Sequence, residues 1–231
     1  MVRASLCPML SSSEESVSLA PVGVTLPRGA LRRLPFVVMV VGVAAVVAGV
    51  ALVPPDKVLG AGVRMVFFHG AVTWTGILMT ILAGFSGLGL LVFSRPGASV
   101  VWRAQSLGAF FWTASLIVSF PVMIRTWGGV MWDEPKLLMS AEIVTGLLVV
   151  WALGLIMGTP RVIAGLAVAA ATVMGILLSV TPGAFHPDNP ILRSGDPLFI
   201  GSFFLVAAGL VVTAVGGLSI GRSRERGRER T

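Results

Sequence analysis

Residues 66–93 read VFFHGAVTWTGILMTILAGFSGLGLLVF, twenty-eight positions without one Asp, Glu, Lys or Arg. About 20 apolar residues in helical form cross the ~30 Å hydrocarbon core of a bilayer, so the run is long enough to span it. Backbone N–H and C=O groups in lipid must find internal partners, which leaves a helix or a closed barrel. Twenty-eight unbroken residues far exceed a barrel strand. Runs of the same character occupy 34–53, 106–124, 138–158, 162–180 and 198–220. The whole chain agrees: its 231 residues are 55% hydrophobic and 12% charged, with a mean hydropathy of +0.94, whereas a soluble domain carries about 25% charge. The pattern predicts an all-α polytopic membrane protein with six transmembrane helices over residues 34–220.

What lies outside those runs is short. Residues 1–33 are polar and mixed, with Ser11-Ser12-Ser13-Glu14-Glu15-Ser16 and no signal-peptide core, and are expected to be a disordered cytoplasmic tail. Residues 221–231 form a basic tail with Arg222, Arg224, Arg226, Arg228 and Arg230. Beside a last apolar helix such a tail reads as an anchor to anionic lipid. With no aromatic residue interleaved it does not read as a nucleic-acid site. Cys7 is the single cysteine, and His69 and His186 are the only histidines. That inventory excludes an intrachain disulfide, a Cys/His zinc cluster and a covalent CxxCH heme site; Cys7 itself reads as a free cytosolic thiol.

Orientation follows from the basic residues. One set of loops and termini holds Arg3, Arg28, Arg32, Arg33, Arg95, Arg103, Arg161 and the five tail arginines; the other holds Lys57, Arg64, Arg125, Lys136 and Arg193. The richer side is expected inside, placing both termini in the cytoplasm. His69, His186 and the segment from Trp127 to Trp132 then share the extracytoplasmic side.

Those residues carry the chemistry. A neutral imidazole nitrogen is a good axial ligand for heme iron, and two from different segments can bind both faces of one porphyrin. The plainer readings are an interfacial hydrogen bond for His69 and a solvated loop residue for His186. The third loop, Arg125-Thr126-Trp127-Gly128-Gly129-Val130-Met131-Trp132-Asp133-Glu134-Pro135-Lys136, is too apolar for an ordinary connector and suits a platform on the membrane surface. A belt of interfacial tryptophans is the alternative. Arg125 and Lys136 are placed to meet propionates, or else Asp133 and Glu134. Prolines on both sides of His186 stiffen the fifth loop, lowering the entropy lost in positioning a ligand, although proline is also ordinary loop punctuation. Glu142 is the one carboxylate inside a span and is expected to pair with a basic group.

Gly84-Phe85-Ser86-Gly87 matches the GxSG pattern of rhomboid-type intramembrane proteases. Ser86 lies seventeen residues beyond His69 on the same helix, about 26 Å away, and His186 belongs to the same far side as His69. No base reaches the serine, so Ser86 is read as packing. Small-residue pairs Ala45/Gly49, Gly165/Ala169 and Ala171/Gly175 are expected to seat close helix contacts. A P-loop is lacking, so an ATP-driven step needs a partner.

The stretch Pro54-Pro55-Asp56-Lys57 through Arg64-Met65-Val66-Phe67-Phe68-His69 resembles the start of the second helix in CcmC-type heme-handling proteins of cytochrome c biogenesis. Trp127-Gly128 to Trp132-Asp133 resembles that family's tryptophan-rich loop, and His186 stands where its second histidine does. The family loop reads WGxxWxWD; here it is one residue shorter, with Val130 or Met131 where a tryptophan would stand. Gly70 and Ala71 replace the usual Val-Pro after the histidine, and Lys136 is near a family arginine. The likeness covers roughly residues 50 to 200. It implies six helices in the inner (plasma) membrane and non-covalent b-type heme held between His69 and His186. Trp127 and Trp132 would form the platform, with Asp133, Arg64, Arg125 and Lys136 around it.

The function this resemblance implies is extracytoplasmic heme binding and handover to a heme chaperone or apocytochrome c, without catalysis of its own, beside ABC-transporter subunits and membrane lipid. The alternatives are a membrane b-type cytochrome or quinol-linked electron carrier, and a heme-free transporter subunit.

Overall fold

In a computed structural model, residues 28–57, 59–94, 97–183, 191 and 194–228 are described. The expected tail through residue 27 with Arg3 and Cys7, the loop histidine His186, Arg193, Arg95 and Arg230 lie outside them. The fold is six helices: α1 (Arg28–Leu52), α2 (Val63–Phe93), α3 (Ala98–Trp127), α4 (Pro135–Met157), α5 (Pro160–Val180) and α6 (Pro197–Arg228). Each is long and apolar enough to cross a membrane. An even number of crossings leaves the start of α1 and the end of α6 on one side.

The helices outrun the apolar spans where polar residues are still good helix formers. α1 starts at Arg28 and α6 runs to Arg228, so parts of both expected tails are helical. Arg, Leu and Ala near residue 30 carry little helix penalty. α3 is longer at both ends than its apolar core, and stops where Gly128 takes φ +76° and returns its N–H to the Ile124 carbonyl. Gly158 ends α4 in the same left-handed way, at φ +60°. Proline at the first positions of α4 and α5 fits the N-terminal turn, where its missing N–H costs nothing.

α2 is the hub. It packs against α3, α5 and α6, while α4 closes the side between α3 and α5, and α1 rests almost wholly on α6. Trp112 is fully buried among Ala109, Met139, Ile143, Val144, Leu147, Ala170 and Met174. Gly76 makes room for it: a Cβ there would come within 3.1 Å of the indole. Hydrophobic transfer does not distinguish lipid from a helix face, so such contacts hold the bundle by close packing.

The glycines that matter differ in part from the expected pairs. Gly49 does seat against α6, with Val206 N at 3.0 Å from where its Cβ would be, but nothing lies within 4 Å of the corresponding points on Gly165 and Gly175. Spacing alone does not say which face of α5 meets a neighbour. The tight approaches are Gly42 on Gly209 and Thr213, Gly216 on Pro35 and Met39, and Gly84 and Gly87 on α5 at Ala171 and Ala164. Gly84 and Gly87 of the GxSG segment are therefore packing residues, and Ser86 beside them is buried.

At the far end of α2 from His69, Trp102 and Trp151 stack with centroids 6.0 Å apart and 19° between planes. Trp151 Nε1 donates to Ser106 Oγ at 3.2 Å, and Gly154 lets Trp102 lie on α4.

Candidate functional site

His69 is the seventh residue of α2, nearly two turns in, because the helix begins at Val63, three residues before the apolar run that starts at Val66. It is half-buried. Phe67, two residues earlier, is buried edge-on against Phe199 and Phe203 of α6, at 5.2 and 6.0 Å between centroids. This aromatic wedge fixes the rotation of α2 and hence the side on which His69 emerges. The wedge continues at Gly70, whose missing Cβ would touch Phe203 at 3.4 Å.

Below His69 the helix is stitched to α3. Thr73 Oγ1 donates its single proton to the His69 carbonyl at 2.9 Å, so Ser115 Oγ is the donor in the bond between Ser115 and Thr73. Three contacts, Thr73 with Ser115, Gly76 with Trp112 and Thr80 with Gly108, set one antiparallel register. Continued upward, that register brings His69 level with Ser119 and brings Gly62 to the end of α3, where Arg125 indeed lies over it. Trp127 is then about 12 Å further along the axis than His69.

The third loop is shorter than expected. Arg125, Thr126 and Trp127 belong to the last turn of α3 and Lys136 to the first turn of α4, leaving only residues 128–134 as connector. The two tryptophans are unlike. Trp127 is half-buried on the helix end, whereas Trp132 is 69% exposed. Its ring reaches back to Phe120, 5.8 Å between centroids. Phe120 neighbours Ser119 in sequence, so Trp132 returns to the depth of His69, about 100° round α3 from the α2 contact.

The charged residues divide by burial. Asp133 is exposed, and Glu134, read only as an ion-pair partner, is fully buried at the N-terminus of α4. A carboxylate there meets the positive end of the helix dipole, and its backbone carbonyl accepts the N–H groups of Leu137 and Leu138. The order Asp-Glu-Pro held the signal, since the residue before an N-terminal proline occupies the capping position. Arg125 is exposed and Lys136 half-buried.

Arg64, expected beside a cofactor, works on the backbone: Nε donates to the Val53 carbonyl and Nη2 to the Ala51 carbonyl, each at 3.3 Å. These carbonyls end α1, where no helical N–H remains to serve them and a cation is favoured. Arg64→Gln is expected to cost about 1 kcal/mol, read as a lower thermal unfolding midpoint in detergent, with hemin affinity unchanged. A fall in hemin affinity at unchanged stability would assign Arg64 to the ligand instead.

Among the described residues, no group of three or more His, Cys, Asp and Glu side chains is placed to hold a metal ion. Heme iron asks for less, since the porphyrin supplies four nitrogens and the protein at most two axial ligands. His69 is the one described imidazole. Among the described residues Glu142 has no pairing partner, and its side chain stands exposed on the outside of α4. No family model matches the chain, and no curated protein sequence matches it.

Proposed function

We propose that this membrane protein binds heme non-covalently at the His69 end of the bundle, extracytoplasmically, and hands it to a heme chaperone or apocytochrome c. The observation that carries the reading is the setting of His69: a half-buried imidazole seven residues into a membrane-spanning helix, at the edge of the apolar layer, rotated into place by the Phe67–Phe199–Phe203 wedge. Ionisable side chains inside a membrane are costly and usually functional.

His69, the described imidazole, is a donor of the kind heme iron takes. His69 and His186 would be the axial ligands, and when bound the heme supplies an iron centre with two open positions. Trp127 and Trp132 would offer apolar surface, Trp132 at the depth of the imidazole. Arg125 and Lys136 would meet the propionates, as charge-assisted pairs at the membrane boundary. Asp133 is exposed and would contact an incoming acceptor. ABC-transporter subunits would supply any ATP-driven step. The site faces outside if both termini are cytoplasmic in the inner membrane, in keeping with the basic-residue count.

Handover is tested by incubating hemin-loaded, purified protein with apocytochrome c or an apo heme chaperone and following the Soret band on each after separation. Heme is expected on the acceptor, and the Trp127→Ala/Trp132→Ala double variant is expected to start with lower occupancy while inserting normally. Heme retained by the donor over hours would overturn the handover role.

A further inference from the structure

Glu142 points away from its own bundle. α4 turns Leu137, Met139, Ile143, Val144 and Leu147 inward. Leu138, Glu142, Thr145, Gly146, Val149 and Ile156 lie on the exposed surface. The helix has 23 residues, about 35 Å of rise against ~30 Å of hydrocarbon. Glu142 comes seven residues after Pro135, so its Cα lies about 8 Å inside the apolar layer. Long Lys and Arg side chains escape to the interface from helix ends; Glu142 is both shorter and deeper. It makes no hydrogen bond or ion pair among the described residues.

We propose that Glu142 marks a docking surface for a transmembrane helix of another polypeptide, one carrying Lys or Arg in the half of the membrane nearest Pro135. A carboxylate facing lipid gains most from an opposite charge delivered at the same depth. The surface beside it admits a close neighbour. Gly146, one turn further on, has nothing within 4 Å of where a Cβ would stand. Thr145 is exposed and satisfies its own hydroxyl on the Ala141 carbonyl. Small and hydroxyl residues flanking a polar one are what interhelical contacts in membranes use.

A second copy of this chain does not answer the charge. In a two-fold dimer through this face of α4 the surface that meets Glu142 at its own depth is Leu138, Thr145, Gly146 and Val149, with no cation among them, and Lys136 lies six residues, about 9 Å, nearer the helix end. Among the described residues, Arg64 serves the end of α1, Arg103 the Leu218 carbonyl, and Arg125 lies over Gly62; none of them is bonded to Glu142. The partner is therefore a different helix, with a basic residue of its own. This inference stands apart from heme binding.

The test uses the full chain, donor-labelled and reconstituted in phosphatidylcholine vesicles, with acceptor-labelled Leu/Ala transmembrane peptides that carry either one Lys at the matching depth or Leu in its place. Energy transfer should show the Lys peptide binding about tenfold more tightly than the Leu peptide. Glu142→Gln should erase that preference while leaving the thermal unfolding midpoint of the protein alone unchanged. Equal binding of the two peptides, a preference that survives Glu142→Gln, or self-association of the labelled protein that Glu142→Gln abolishes would each overturn the proposal.

Discussion

His69→Ala is expected to remove the six-coordinate low-spin spectrum of the hemin-loaded protein, and His186→Ala is expected to do the same. Taken singly, either effect has a local explanation, because His69 lies in a packed helix turn whose carbonyl anchors the Thr73–Ser115 link. That link uses the backbone of His69, so alanine keeps it. What distinguishes shared ligation is coupling. Two residues on one iron should lose much less in the double variant than the two single losses added together. External imidazole should partly restore the spectrum of each single variant by filling the vacated axial position. Additive losses without rescue would mean that the histidines act separately, and the proposed site would fall.

The second large effect is structural. Gly209→Leu should separate α1 from α6, because a Cβ at Gly209 would stand 2.7 Å from the Gly42 carbonyl and 2.8 Å from Val46 N. Both obstacles are backbone and cannot rotate away. α1 has almost no other neighbour in the bundle, so it cannot compensate elsewhere. Overpacking of this kind costs about 3 kcal/mol, enough to lower the unfolding midpoint clearly and to raise protease susceptibility of the α1–α2 connection. Gly165→Leu on α5 is the control, having open space at the same point. It should leave the midpoint unchanged; equal damage from both substitutions would mean that side-chain bulk on any helix of the bundle, and not the α1–α6 contact, sets the result.

That contrast also explains what a single sequence could and could not reveal. The six spans were legible because a bilayer selects on apolarity over about 20 residues, and nothing in α1 to α6 competes with that signal. Helix ends were less so: Arg125, Thr126 and Trp127 are polar or interfacial, and look like loop until Gly128 is seen ending α3 at φ +76°. Which small residues touch another helix was also hidden, since Gly165 and Gly209 sit in similar company but only Gly209 meets a neighbour. In the candidate site, Asp133 and Glu134 are adjacent and chemically alike, yet one is exposed and the other fully buried. Their difference comes from the turn into Pro135. Arg64 looked like a ligand contact because its neighbours in sequence lead to His69, whereas its reach is back to Ala51 and Val53.

Whether the His69 end of this bundle holds heme is decided by titrating hemin into the purified wild-type protein. The expected result is a red-shifted Soret band that saturates at one hemin per chain, with the sharp low-spin α and β bands of a bis-histidine heme on reduction. A spectrum that stays the sum of free hemin and protein throughout the titration would contradict it.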